Sequence, residues 1–294
     1  MTEIAPIGQT ATTVIANLRQ GAASTAAPVA RKLAAGTPVR VYARLVGQTV
    51  QGNASWYLTD GQCYIWAGTC APLQASSDIA PPGAQAVPLV VDLYHGDNVA
   101  SFTQAYAAGL RGVIHKATTG QSGTDPLYAQ RRIQAEKAGL LWGAYHWGTA
   151  APAALQVDNF LSTAKPGPDT LVALDFEPDE GNQMTLDGAR EFLQAIEVKL
   201  GRRAVLYSGS LIKSALGKTS DAFFGQHRLW LAQYGNQPVV QASWPTYWLW
   251  QYTDGSSAGP GPKSVPGIPG NGQGQLDCNH FQGDEDRLRA QWAS

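Results

Sequence analysis

The sequence predicts an α/β chain: a modified TIM-like barrel of the form (β/α)5β3, preceded by a small all-β barrel domain. Three observations predict it. Eight apolar, strand-length runs recur at a steady beat from residue 88 onward. The first five are followed by stretches long enough for a crossover helix, whereas the last connections are rich in Pro and Gly. Ahead of them lie shorter β-like runs, separated from the barrel by a compositional break at residues 74–87.

The N-terminal part, residues 1–73, contains PVRVYARLV, QGNASWYLT and GQCYIWAG, divided by Gly, Asn and Asp turn residues, which is the spacing of a small barrel or sandwich. The segment 74–87, QASSDIAPPGAQAV, has no apolar periodicity and reads as a linker. The barrel domain then spans 88–294. Its candidate strands are PLVVDL (88–93), GVIHKAT (112–118), LWGAYHW (141–147), LVALDFE (171–177), AVLYSG (204–209), LWLAQY (229–234), YWLWQYT (247–253) and QLDCNHF (275–281). Helix candidates are VASFTQAYAAG, PLYAQRRIQAEKAG and TLDGAREFLQAIEVKLG, the last with Thr185 as N-cap. Pro238 and Pro245 interrupt one late connection, and Gly, Pro and Ser dominate 254–274, so neither is expected to be helical.

Composition narrows the function. Of 294 residues 44% are hydrophobic and 15% charged, which supports buried cores rather than disorder. The net charge is −1 with no Lys/Arg cluster, which argues against a nucleic-acid partner. No apolar run approaches the ~18 residues of a membrane span. The first residues lack a charged segment followed by an apolar one, so no secretory signal is expected. Cys63 and Cys70 are close enough in sequence to pair, Cys278 is expected to be a buried thiol, and His and Cys never fall at zinc-ligand intervals. Neither a metal nor another cofactor is called for, and a monomer is expected.

Ionisable and polar residues collect where the strands end: Asp92, Lys116, Thr118, Tyr145, His146, Asp175, Glu177, Tyr207, Gln233, Tyr234, Gln251 and Tyr252. In barrel enzymes that rim holds the site. The sharpest feature is LVALDFE. Alternate strand residues share a face, so Asp175 and Glu177 should both look into the barrel mouth, roughly 7 Å apart at Cα. Two carboxylates at the end of an apolar strand repel one another and are poorly solvated, so the pair should hold a proton at neutral pH. A glycosidic general acid has that property. His115 and His146 are expected to be structural, and Trp230 and Trp250 to be packing residues.

Several motifs in order resemble glycoside hydrolase family 25: Val91-Asp92-Leu93, Lys116-Ala117-Thr118, Asp125-Pro126, Ala138-Gly139-Leu140, Gly143-Ala144-Tyr145-His146-Trp147, Asp175-Phe176-Glu177, Tyr207-Ser208, Leu229-Trp230-Leu231-Ala232-x-Tyr234, Trp250-Gln251-Tyr252 and Leu276-Asp277-x-Asn279-x-Phe281. Thr119 stands where the family's Lys-Ala-Thr-Glu-Gly motif has Glu, and Leu93-Tyr94 departs from its Asp-Val-Ser segment. The resemblance, spanning residues 88–284, implies a peptidoglycan muramidase acting on the cell wall. It makes Glu177 the general acid and Asp175 a residue that orients the 2-acetamido group or stabilises positive charge. Asp92 and Asp277 become flanking carboxylates, while Lys116, Tyr145, Trp147, Tyr207, Gln251 and Tyr252 contact substrate. Over residues 12–73, Asn17-Leu18-Arg19-x-Gly21, Pro28-Val29, Leu33-x-x-Gly36-Thr37-x-Val39-x-Val41, Trp56-Tyr57 and Asp60-Gly61 before Tyr64-Ile65-Trp66 resemble a bacterial SH3 domain. Such modules commonly bind cell-wall peptides; the four aromatics are expected to fill its core.

Two other readings compete. A chitinase-like barrel would carry Asp-x-x-Asp-x-Asp-x-Glu, but Thr170 and Ala173 occupy positions that need acids. A catalytically silent wall- or chitin-binding barrel has no use for a self-repelling acid pair. Stereochemical outcome stays open, because an acetamido-assisted route would evade the carboxyl-separation rule.

Overall fold

A computed structural model of the chain describes residues 7–59, 63–75, 87–257 and 259–294, and it divides into two units, Met1–Ala80 and Pro81–Ser294. In the first unit, β1 (Gly8–Ala11), β2 (Ala16–Gln20), β3 (Val29–Leu33), β4 (Pro38–Val50), β5 (Asn53–Thr59), β6 (Cys63–Trp66) and β7 (Gln74–Ala75) form one antiparallel sheet in the order β3-β2-β6-β5-β4-β1-β7. Alternation in β2 turns Ala16 and Leu18 inward to meet Leu33, Val39, Val41, Tyr57 and Ile65. Trp56 is buried and its indole N–H donates to the Gln48 carbonyl at 2.8 Å; that of Trp66 donates to Asn53 at 3.0 Å. Both indoles therefore bond within the unit, Trp56 buried and Trp66 half-buried.

One open pairing is answered here and one expected boundary moves. Cys70 is a free thiol directed at the Trp66 carbonyl, so the Cys63–Cys70 bridge that the spacing allowed is not formed. Gln74 and Ala75, expected to open the linker, pair with β1 and continue the sheet. The rest of that segment, residues 76–86, and the Asp60-Gly61 turn lie outside the described residues.

In the second unit eight strands close a barrel: β8 (Val90–Leu93), β9 (Gly112–Thr119), β11 (Leu141–Trp147), β12 (Leu171–Asp175), β13 (Val205–Ser208), β14 (Leu229–Ala232), β15 (Leu249–Thr253) and β16 (Asp277–Phe281). A two-residue strand, β10 (Gly123–Thr124), extends the edge of β9. Neighbours are parallel from β8 to β15, but β16 runs antiparallel to both β15 and β8. Helices α1 (Phe102–Ala108), α2 (Tyr128–Lys137), α3 (Ala153–Ala164), α4 (Leu186–Leu200) and α5 (Ser210–Leu216) follow the first five strands of the barrel. Thr185 caps α4 by accepting from the Gly188 N–H at 3.0 Å, and Gly201 ends it at φ 69°. Among the described residues no α-helix lies between β14 and β16.

The strand period of two splits this unit into two cores. Val90, Ile114, Leu171, Ala173, Val205, Tyr207 and Trp230 fill the barrel interior; Val91, Val113, Val172, Leu174, Leu206 and Trp250 belong to the outer core. A sixth helix, α6 (Glu285–Gln291), was not expected. Its one buried residue, Leu288, gives it no apolar periodicity in sequence, and Asp284 caps it through the Arg287 N–H at 2.9 Å. It plugs the barrel floor: Leu288 and Trp292 join the interior cluster, and the Trp292 indole donates to the Trp142 carbonyl at 2.8 Å.

Candidate active site

With the floor plugged, the opposite end of the barrel is left open. There Asp92, Tyr94, Lys116, Tyr145, Trp147, Asp175, Glu177, Tyr207, Trp230, Tyr234, Gln251 and Asp277 line a cavity of about 280 Å³. Each side chain arrives by strand alternation. Leu171 and Ala173 point into the barrel, so Asp175 does too, and Glu177 follows just beyond the strand's end. Phe176 between them packs outward, its carbonyl tied to the Ser208 hydroxyl at 2.6 Å. Asp277 enters from the start of β16 and is the register partner of Asp92 across the antiparallel pair. Like charges directly opposite one another destabilise a sheet.

An amide network fixes part of this wall. Asp92 accepts from Gln251 Nε2 at 2.9 Å and from Asn279 Nδ2 at 2.7 Å. The amide oxygens are engaged in turn, Gln251 by the Tyr207 hydroxyl at 2.7 Å and Asn279 by the Trp230 indole at 2.6 Å. Asp175 is treated differently: it is 4% exposed and its Oδ1 has no hydrogen-bond partner. A buried carboxylate oxygen without a donor is costly, and such an oxygen aimed into a cavity suits a ligand.

Burial drives the electrostatics. It pushes Asp92 up to about 7 against the two amide donors, Glu177 up to about 7, and Asp277, with Asp92 opposite, up to about 9. Burial and the repulsion of Glu177 hold Asp175 well above the usual carboxylate range, with Lys116 opposing. Lys116 itself is lowered by burial, and its ammonium lies 4.6 Å from the centre of the Trp147 ring. At neutral pH the pocket therefore keeps protons that exposed carboxylates would have released. Among the described residues no group of three or more His, Cys, Asp or Glu side chains is arranged to hold a metal ion.

The profile of glycosyl hydrolases family 25 matches residues 91–260, the segment that carries most of this barrel. The chain belongs to that family. It is a glycoside hydrolase. Lysozyme M1 of Streptomyces globisporus is 24% identical over 68% of this chain and 69% of its own length. The N,O-diacetylmuramidase of Chalaropsis sp is 28% identical over 54% of this chain and 84% of its own length. A bacterial lysozyme structure from Streptomyces coelicolor shares the fold at TM-score 0.60 and 24% identity, covering 69% of this chain and 95% of that one.

Within this family 25 barrel, the four carboxylates singled out from sequence, Asp92, Asp175, Glu177 and Asp277, come together in one pocket, with Lys116, Tyr145, Trp147, Tyr207 and Gln251 around them. Tyr252 does not join them. One residue past the inward Gln251, it points to the outer core, and its hydroxyl donates to the Pro262 carbonyl at 2.5 Å. His115 and His146 are buried; His146 lies 2.7 Å from the Thr118 hydroxyl and 3.0 Å from Gln156. Tyr94, Trp230 and Asn279 were not assigned to the site from sequence, and Tyr234 was placed on the rim without a role. Tyr94 follows Asp92 by two residues, which was the available signal. Trp230 was read as packing, and it packs edge-on against Tyr207 with ring centres 4.4 Å apart while also lining the pocket.

Proposed function

We propose that this family 25 hydrolase is an N-acetylmuramidase, cleaving the β-1,4 bond between N-acetylmuramic acid and N-acetylglucosamine in bacterial peptidoglycan. The gathering of four carboxylates from three strands, all with raised affinity for protons, in one aromatic-walled cavity supports glycosidic hydrolysis, and the choice of bond rests on the similarity to lysozyme M1 and the N,O-diacetylmuramidase. Glu177, half-buried at the mouth, donates its proton to the glycosidic oxygen as the bond to the anomeric carbon breaks. Asp175 answers the positive charge that develops there, directly or by accepting from the substrate's 2-acetamido N–H. Water supplies the new bond at the anomeric carbon and returns a proton to the pocket. Asp92 and Asp277 flank the reacting sugar, while Lys116, Tyr145, Trp147 and the Tyr207–Gln251 pair shape its surroundings.

The first unit, on this reading, is a bacterial SH3-like module that holds the enzyme to cell-wall peptide. The site of action is the wall, outside the cytoplasmic membrane; among the described residues no helix is long and apolar enough to cross a membrane. Incubation with purified walls, followed by mass spectrometry of borohydride-reduced digests, tests the assignment. Reduced muramic ends are expected. Reduced glucosamine ends would make the enzyme a glucosaminidase, and undiminished turbidity with no released fragments would make it the silent binder.

A further inference from the structure

The turn after β8 holds a pocket residue that neither the acid set nor the amide network uses. Tyr94 lines the cavity yet is 37% exposed, an aromatic ring left partly in water. Its place is nevertheless set from several sides. Gly96 lies against the ring, and a Cβ there would fall 2.3 Å from Tyr94 Cζ and Oη. The His95 ring meets it edge-on, centres 5.2 Å apart. The turn beneath is bonded throughout: the Tyr94 N–H donates to Asp97 Oδ2 at 2.8 Å and the Asp97 N–H to the Tyr94 carbonyl at 3.1 Å. From α2, the buried Arg131 donates to the Tyr94 carbonyl at 2.7 Å and to that of Asp97. Asp125 accepts the His95 N–H at 2.8 Å.

A ring fixed before its ligand arrives loses little freedom on binding. An exposed aromatic face beside polar groups suits the C–H face of a pyranose. Around the closed sheet β8 is three strands from β12, so Tyr94 stands on a different wall from Glu177. It can therefore hold a sugar without sharing the proton transfer. We infer that Tyr94 is a preset stacking platform for an N-acetylhexosamine ring flanking the bond that Glu177 protonates, and that it sets glycan affinity rather than the chemical step. This rests on the proposal that the cavity takes a glycan.

The test uses the full chain as wild type, Tyr94→Ala, Tyr94→Phe, Gly96→Ala and the Tyr94→Ala/Gly96→Ala double variant, with circular dichroism as the folding control. Hydrolysis of soluble peptidoglycan fragments gives KM and kcat; calorimetric titration with a β-1,4-linked N-acetylglucosamine tetramer gives Kd without turnover. Tyr94→Ala should raise KM and Kd about tenfold with kcat within about twofold, while Tyr94→Phe stays near wild type. Gly96→Ala, whose methyl displaces the ring, should reproduce that loss, and the double variant should be no worse than Tyr94→Ala alone. Unchanged KM and Kd in Tyr94→Ala overturn the platform, as does a loss confined to kcat. A further loss on adding Gly96→Ala to Tyr94→Ala overturns the ring's placement by Gly96. If the wild type binds the tetramer through Tyr94 but cleaves nothing, the platform stands and the hydrolase reading falls; a folded wild type that binds nothing overturns both.

Discussion

Between α2 and the turn after β8, Arg131 donates to two backbone carbonyls and meets His115 Nε2 at 3.0 Å, while Asp125 accepts from His95 and from the Leu127 N–H at 2.9 Å. At the barrel mouth, Asp175 Oδ1 has no partner and Asp92 faces Asp277 across a strand pair. Both regions bury ionisable groups. In the first, charge is neutralised and donors are matched, so the polar groups hold elements together. In the second, carboxylates crowd one another and hold protons more tightly than exposed ones, so the fold loses stability as they ionise, and Asp175 Oδ1 is left for a substrate. The difference separates structural from functional polarity within one barrel, and single substitutions should respond with opposite signs.

The largest effect should come from Glu177→Gln. Turnover should fall by about 10²–10⁴-fold, because an amide keeps the shape but cannot protonate the leaving oxygen. The same variant should melt higher than wild type at pH 8, since one member of a repelling cluster is gone. A folded variant that retained lysis would remove Glu177 from its role.

Asp125→Ala should do the reverse. Removing the buried Asp125 carboxylate, which accepts from the exposed His95 and the half-buried Leu127, should lower stability by about 1–2 kcal/mol, with kcat of the folded protein within about twofold. Denaturant melts alongside steady-state rates decide it, and a neutral or stabilising outcome would erase the contrast.

The pH dependence of stability sharpens the comparison. Glu177 and Asp92 titrate at about 7 in the folded protein, against about 4 in an unfolded chain. Between those limits the folded state binds more protons, so stability falls as pH rises, and Asp277 at about 9 extends the loss. Thermal melts should therefore decline from pH 5 to pH 9, with Glu177→Gln flattening the slope. Hydrolysis should decline as pH rises through 7, when the general acid loses its proton.

A smaller gain is expected from Asp277→Asn. Relieving the like charge opposite Asp92 should raise stability at pH 9 by about 0.2–1 kcal/mol, read from the same melts. Smallest of all, removing residues 1–80 should leave rates on soluble fragments unchanged and slow lysis only of intact walls, through lost local concentration.

How much of this was legible in sequence depends on the direction of each strand. Parallel strands followed by helices announce both their inward residues and their catalytic ends, so Asp92, Lys116, Tyr145, Asp175 and Glu177 could be placed on one rim from period-two alternation alone. The first two-thirds of the barrel, with Thr185 and Gly201 bounding α4, follows from local rules of the same kind. Gln251 and Tyr252 were both assigned to substrate although adjacent strand residues face opposite ways, and only the packed structure showed that Gln251 is the inward one.

The sequence by itself determined the apolar periods, the helix caps, the acid pair on one face of β12 and an ordered set of motifs tied to a family. Tertiary structure decided what those could not reach. Asp277 lies at the start of its strand and meets the other acids only because β16 runs antiparallel, a direction no local pattern encodes. Tyr94 belongs to the pocket because Arg131, Asp125 and Gly96 fix a turn whose partners are distant in sequence. The proton affinity of the carboxylates, too, arises from burial created by closing the barrel, since desolvation is a property of the surroundings and not of the residue.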